Sequence, residues 1–257
     1  MSEISLAIRQ LKYENKAFWR NPPAAFFTVA FPLMFLVVFN LLFGNDTTPI
    51  EGGEVSSSTF YVPAIAALSV ISACYVNVAI GVSFSRDNGT LKRVRGTPLP
   101  AWAFLFGRIT LATLVAFLLV AVVTTAGAVF YNVSVPTTTM PAFIVTVLIG
   151  AASFSALGLA ITSIIPNAEA SPAVVNASIL PLQFISGIFI PLDNAPGWLK
   201  NVADLFPVKH FADATHTAFS PFTVGAGFEW DRLGVLALWG IVGVVAAIKY
   251  FSWEPRR

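Results

Sequence analysis

The sequence predicts an all-α membrane protein with six transmembrane helices, an amphipathic interfacial helix before the first and short outer helices before the last. Three observations carry that prediction. Of 257 residues, 56% are hydrophobic and 11% charged, where soluble domains carry about 25% charge, so there is too little charge to clothe a water-facing surface. Six apolar stretches approach or exceed the roughly 20 residues a helix needs to cross hydrocarbon, where only an internally bonded backbone survives. The basic residues cluster on alternate connections between those stretches.

Residues 1–22 form the interfacial segment. On a helix of about 3.6 residues per turn, Ile4, Ile8, Leu11 and Phe18 share one side, and Arg9, Lys12, Lys16 and Arg20 the other. Such a helix lies among lipid headgroups, with Trp19 at the boundary, as an orientation anchor or a mechanical element. The spans follow at 24–43, 60–84, 104–130, 142–165, 172–190 and 233–250. Pro32, Pro63 and Pro181 fall inside spans and kink a helix where neighbours satisfy the freed carbonyl. The first apolar run is as long as a full span and follows a helix-like segment, so a signal peptide is not expected. Cys74 stands alone in an apolar run, which excludes a disulfide framework and suits a packing residue. No internal repeat or linker divides the chain, so residues 1–257 are expected to form one membrane domain.

Arg9, Lys12, Lys16, Arg20, Arg86, Lys92, Arg93, Arg95, Arg108, Lys249, Arg256 and Arg257 make twelve of the fifteen basic residues, all on the side of the two termini. The positive-inside rule then puts both termini in the cytoplasm of a plasma or inner membrane. The same segregation removes any argument for nucleic-acid binding from the net charge of +2.

Within the second connection, 86–100, a short helix would carry Leu91 and Val94 on one face and Lys92, Arg93 and Arg95 on the others, ended by Gly96 and Pro98. It reads as an ordinary basic loop or as an element that projects into a partner's groove. In the outer connection, 191–220, Trp198, Leu199, Val202, Leu205 and Phe206 recur at helical spacing up to Pro207. Two short helices broken at Pro207 would lie on the membrane or dip back into it, where protein surrounds the backbone.

No phosphate-binding G-x-x-x-x-G-K-[ST] loop occurs, so energy comes from a partner, an ion gradient or nothing. Ion-coupled carriers keep charged side chains within their spans at a cost of several kcal/mol; none is expected inside these. His210, Asp213 and His216 could share a helical face, but a zinc site needs a better-defined ligand set, so no metal is expected. Phe27, Phe31, Phe35 and Phe39 recur every fourth residue, as a path-lining stripe or as lipid-facing bulk. Asn77, Asn176 and Gln183 are amides deep in spans, either lining a path or bonding helix to helix.

Together these segments resemble a permease subunit of the type-2 ABC exporters, nearer the drug-resistance and antibiotic-exporting branch than the polysaccharide branch. The run Gly89-Thr90-Leu91-Lys92-Arg93-Val94-Arg95-Gly96-Thr97-Pro98-Leu99 is similar to that family's GTL–basic–TPL segment. Ser186-Gly187-Ile188-Phe189-Ile190-Pro191-Leu192, followed by Pro196-x-Trp198-Leu199 and Pro207, is similar to its signature after span five. The resemblance implies a cytoplasmic coupling helix at Gly89–Leu99, with Asp87, Gly89, Thr90, Leu91, Arg93 and Pro98 serving ATPase coupling. It implies two ATP-hydrolysing partner subunits that bind ATP and magnesium, so this chain needs no cofactor. A second copy or a homologous permease would complete a path lined by Phe31, Phe35, Asn77, Asn176 and Gln183, with Gly187, Pro191 and Trp198 at an outer gate. Asp87 stands where the family often has Glu, and His210 and His216 where it often has Tyr and Arg. The expected activity is export of a hydrophobic or amphipathic drug, antibiotic or lipid by a permease that is not itself an enzyme. A lipid-linked glycan exporter and a membrane-integral enzyme or assembly factor are the rivals.

Overall fold

The computed structural model describes residues 3–44, 46–50, 52–97, 99, 101–192 and 195–253. The expectation for Pro98 lies outside the described residues, as do those for the side chains of Ile4 and Phe27. The order is α1 (Glu3–Trp19), α2 (Pro22–Phe43), β1 (Thr47–Ile50), β2 (Gly53–Ser56), α3 (Ser57–Ile71), a π-helical turn (Ser72–Val76) and α4 (Asn77–Asp87). After these come α5 (Thr90–Arg95), α6 (Ala101–Tyr131), α7 (Met140–Ile161), α8 (Ser171–Phe184), α9 (Gly197–Asp204), α10 (Pro207–Phe219) and α11 (Trp230–Tyr250).

Among the described residues, four helical runs are long and apolar enough to cross a membrane: Ser57–Asp87, Trp102–Tyr131, Met140–Ile161 and Trp230–Tyr250, with a further apolar run at Thr28–Phe43 within the 22-residue α2. The stretch expected as span five stops early. Its helix ends at Phe184, not at 190, and its 14 residues reach only about 21 Å against the roughly 30 Å of a hydrocarbon core. Beyond it Gly187 takes a left-handed φ of 83°, which a helix cannot continue through. A second departure from the all-α expectation is the antiparallel hairpin β1–β2, paired Thr47 with Ser56 through Ile50 with Gly53. Its exit residue Ser56 caps α3 by accepting from the Thr59 amide at 3.3 Å.

Small residues set how closely the helices approach. A Cβ at Gly243 of α11 would lie 2.8 Å from the Leu157 amide nitrogen of α7, and one at Gly240 2.6 Å from Ser153 Oγ. Ser153 adds a bond from Oγ to the Leu236 carbonyl at 2.8 Å. Gly127 of α6 takes the side chain of Val62, and Gly158 of α7 backs onto the Cys74 and Tyr75 carbonyls of the π turn. Cys74 itself is buried in that packing. The outer connection is more deeply engaged than a surface loop: α10 enters the bundle, with Phe211 buried against Gly150 and Phe154 of α7. Outside the core, α11 exposes Leu238, Ile241, Val245 and Ile248, and α6 exposes Leu114, Leu118 and Phe130. Apolar faces that broad need lipid or another chain as solvent.

Candidate functional site

Between α2, the α3–α4 rod and α8 lies a groove of about 1080 Å³. Phe31, Phe35, Asn77, Asn176 and Gln183, predicted from the sequence on three separate stretches, all line it. The fourfold spacing on α2 turns its aromatic rings to one side, with Phe31 and Phe35 centroids 4.7 Å apart and Phe35 and Phe39 5.8 Å apart. Phe39 continues the stack onto Tyr61 at 4.7 Å, and Phe189 packs on Phe184 at 4.9 Å. Tyr61 was not singled out in the sequence and Phe189 only as part of the signature after span five, because only tertiary packing brings them to α2. Among the described residues none that lines it is charged, so the groove offers apolar contact plus a few amide and hydroxyl partners. The π turn contributes Ser72 and Val76 to the wall. The neighbouring Tyr75 hydroxyl shares a 2.7 Å bond with Ser178 of α8 and so fixes the spacing of two walls.

At the end of the molecule that carries the basic residues, α5 follows Gly89, whose φ is 68°. The left-handed turn at Gly89 reverses the chain out of α4 at little steric cost. Leu91 then points inward and is fully buried, whereas Lys92, Arg93 and Arg95 are exposed. The exposed face of α5 is therefore the basic one, and Leu91 anchors it from beneath. Asp87 also turns inward. One oxygen pairs with Arg86 at 3.3 Å and the other accepts the Ala168 amide. Arg86, expected to be a loop charge, is 2% exposed and donates to the Thr162 and Ile165 carbonyls at 3.0 and 2.8 Å. Those carbonyls lie just past the C-terminus of α7, where a cation is favoured.

Helix α1 lies across α6, with Gln10 and Leu11 against Gly107. Glu14 accepts from Arg108 at 3.4 Å and from Gln10 at 3.0 Å, and Arg108 also donates to Ser85 of α4 at 3.1 Å. One expectation is corrected here: Arg108 lies within α6, so a helix long enough to span does carry a charge, and Glu14 pairs with it. Ile8, on the apolar side of this helix, is half exposed, while Ala7, Leu11 and Phe18 turn toward the bundle.

At the opposite end a second cavity, about 840 Å³, is lined by Gly187, Pro191, Lys209, Asp213, His216 and Arg232 among others. Pro191 lines both cavities, so the segment after α8 forms the partition between them. Trp198 joins neither; it stands exposed on α9. The three residues considered as metal ligands diverge. His210 Nε2 meets the Asp204 carbonyl at 2.7 Å, and Asp213 pairs with Arg232. His216 stacks on Phe60 with centroids 4.6 Å apart and bonds with the Gly187 backbone. Burial lowers the His216 pKa to about 4, so the ring is neutral at pH 7.

The sequence profile of the family described as ABC-2 type transporter matches residues 8–219 of this chain. The chain belongs to the ABC-2 type transporter family. Relatives include a probable multidrug ABC transporter permease, YbhR, of Escherichia coli K12, 27% identical over 61% of this chain and 42% of its own length. The daunorubicin resistance ABC transporter permease protein DrrB1 of Streptomyces coeruleorubidus is 27% identical over 95% of this chain and 84% of its own. A putative transport permease, ycf38, of Cyanophora paradoxa is 24% identical over 86% and 75%. The chain thus spans less than half the length of the Escherichia coli permease it matches. As an ABC-2 protein with these apolar helices it is a multi-pass membrane protein.

Proposed function

We propose that this chain is the membrane-spanning subunit of an ATP-driven exporter for a hydrophobic or amphipathic drug, antibiotic or lipid. The observation that carries this reading is the uncharged groove, in which aromatic rings from α2 and α8 face amides from α4 and α8. Apolar walls favour cargo that leaves water readily, and the amides orient it without the desolvation cost of an ion. Names of the relatives support the drug class. In this reading six segments cross the membrane, with α8 as the short crossing, and both termini lie in the cytoplasm. Two copies, or this chain with a homologous permease, bring two grooves together. Two ATPase subunits bind ATP and magnesium and dock against Lys92, Arg93 and Arg95 of α5, while α1 braces the docking end and the partition Gly187–Pro191 closes the path outward.

The test is reconstitution in liposomes with the ATPase that co-purifies with the chain. Reversing Lys92, Arg93 and Arg95 to Glu is expected to abolish co-purification and ATP-dependent cargo uptake while thermal unfolding stays unchanged, since these side chains are exposed. Retained coupled transport in that variant would remove α5 from the mechanism. Leu91→Asp would not serve, because a carboxylate at a fully buried position costs about 3 kcal/mol or more whatever the role of α5.

A further inference from the structure

We propose that Arg86 and Asp87 form a latch that joins α5 to α8, so that displacement of α5 reaches one wall of the groove. The inference rests on the reading of α5 as the ATPase-contacting element and assigns how its motion is transmitted.

The bonds run in series. Gly89 connects Asp87 to α5, and the Arg93 amide returns to the Gly89 carbonyl at 3.1 Å, so the hinge and the helix form one turn of structure. The buried Leu91 pins that turn to the core. From its other side Asp87 accepts the Ala168 amide. The Ala168 carbonyl in turn receives both the Ser171 amide at 3.1 Å and the Ser171 hydroxyl at 2.6 Å. Ser171 is the first residue of α8, which carries Asn176, Ile179, Leu180 and Gln183 into the groove. Arg86 stiffens this chain by holding the carbonyls of Thr162 and Ile165, the entry to the same turn. A helix C-terminus alone would need only the cation. The carboxylate that reaches past it to Ala168 is what extends the tie to the next helix. The opposite wall, α2, follows α1, whose anchor is Glu14 on Arg108 of α6. The two walls thus hang from different side chains, α8 from Asp87 directly and α1 with α2 from Glu14 through Arg108, which also bonds Ser85 of α4, so a push on α5 reaches α8 by the shorter route and changes the distance between them. Arg86 and Asp87 act here as positioning residues and need not touch cargo or ATPase.

The test uses the full chain with its co-purified ATPase in lipid nanodiscs. Spin labels are placed at Thr97→Cys, exposed just past α5, Ala177→Cys on α8 and Ile248→Cys on α11, in pairs; the native Cys74 is buried. With wild-type Asp87, a non-hydrolysable ATP analogue is expected to shift both the 97–248 and the 177–248 distances. In Asp87→Ala the first shift is expected to persist and the second to vanish, with cargo-stimulated ATP hydrolysis down about tenfold, the worth of one charged hydrogen bond. Asp87→Asn keeps an oxygen for the Ala168 amide and is expected to restore most of the second shift, which a simple loss of stability would not predict. An unchanged 177–248 shift in Asp87→Ala overturns the latch. If instead α5 does not move with nucleotide in the wild type, the reading of α5 falls separately. The latch is then decided on the chain alone, where Asp87→Ala must broaden the 97–177 distance distribution, and an unbroadened one overturns it. Asp87→Ser, whose hydroxyl is too short to reach Ala168, replaces the alanine variant if that one does not fold.

Discussion

Gly89 joins the α3–α4 rod to α5. A Cβ there would meet no atom within 4 Å, so the cost of Gly89→Ala is conformational, set by a φ of 68°. That strain is about 1–2 kcal/mol; a correspondingly lower thermal midpoint is expected, and an unchanged one would mean the turn relaxes. His216 supplies a pH dependence of known sign. An unfolded imidazole takes up a proton near pH 6.5, whereas the folded one resists until about 4. Its contribution is therefore intact above the upper value and is lost as pH falls through that window. Unfolding of wild type and His216→Asn, compared across it, is expected to show a steeper acid loss in the wild type. Gly89 was legible from its motif. Arg86 and Glu14 were not, since a sequence shows charge and side but not which carbonyl or guanidinium lies opposite. The amides Asn77, Asn176 and Gln183 were legible because polar groups are rare in apolar runs, so each one found marks a face.

For the helices, the information lay in their apolar length, and it located α2, α6, α7 and α11 to within a few residues. It failed where something other than hydropathy ends an element. The stretch after Phe184 is as apolar as what precedes it, yet the left-handed Gly187 stops the helix. The β1–β2 hairpin escaped notice because four-residue strands carry too few alternating positions to register. What holds the elements together is close backbone contact, and it can be tested at one position. Gly243→Val would drive side-chain atoms into the Ala156–Leu157 backbone of α7, which cannot retreat. A loss of about 1–3 kcal/mol is expected, read as a lower unfolding midpoint in detergent. Val at Gly234, where a Cβ meets no atom within 4 Å, is the control and should stay close to wild type.

Over the whole molecule, the groove has walls from sequence-distant helices and no charge on any of them. Phe35→Ala removes stacking surface from one wall, and Asn176→Leu removes an amide from the other. The first is expected to weaken transport of bulky aromatic cargo most, the second that of cargo bearing hydroxyl or amide groups; equal losses for both cargo types in both variants would argue against direct lining. Segregation of charge is a property of the sequence itself, a sum over many residues that tolerates local errors. The pairing of walls was not legible there, because it depends on the rotation of one long rod. That rotation is fixed at Ser72–Val76, where a turn holds one residue more than its neighbours. Taking up that surplus would wind the lower half of the rod round by about 100°. Asn77 would leave the groove, Ser85 would leave Arg108, and Arg86 would lose the carbonyls of Thr162 and Ile165, all in one movement. A single spare residue keeps three unrelated contacts in phase.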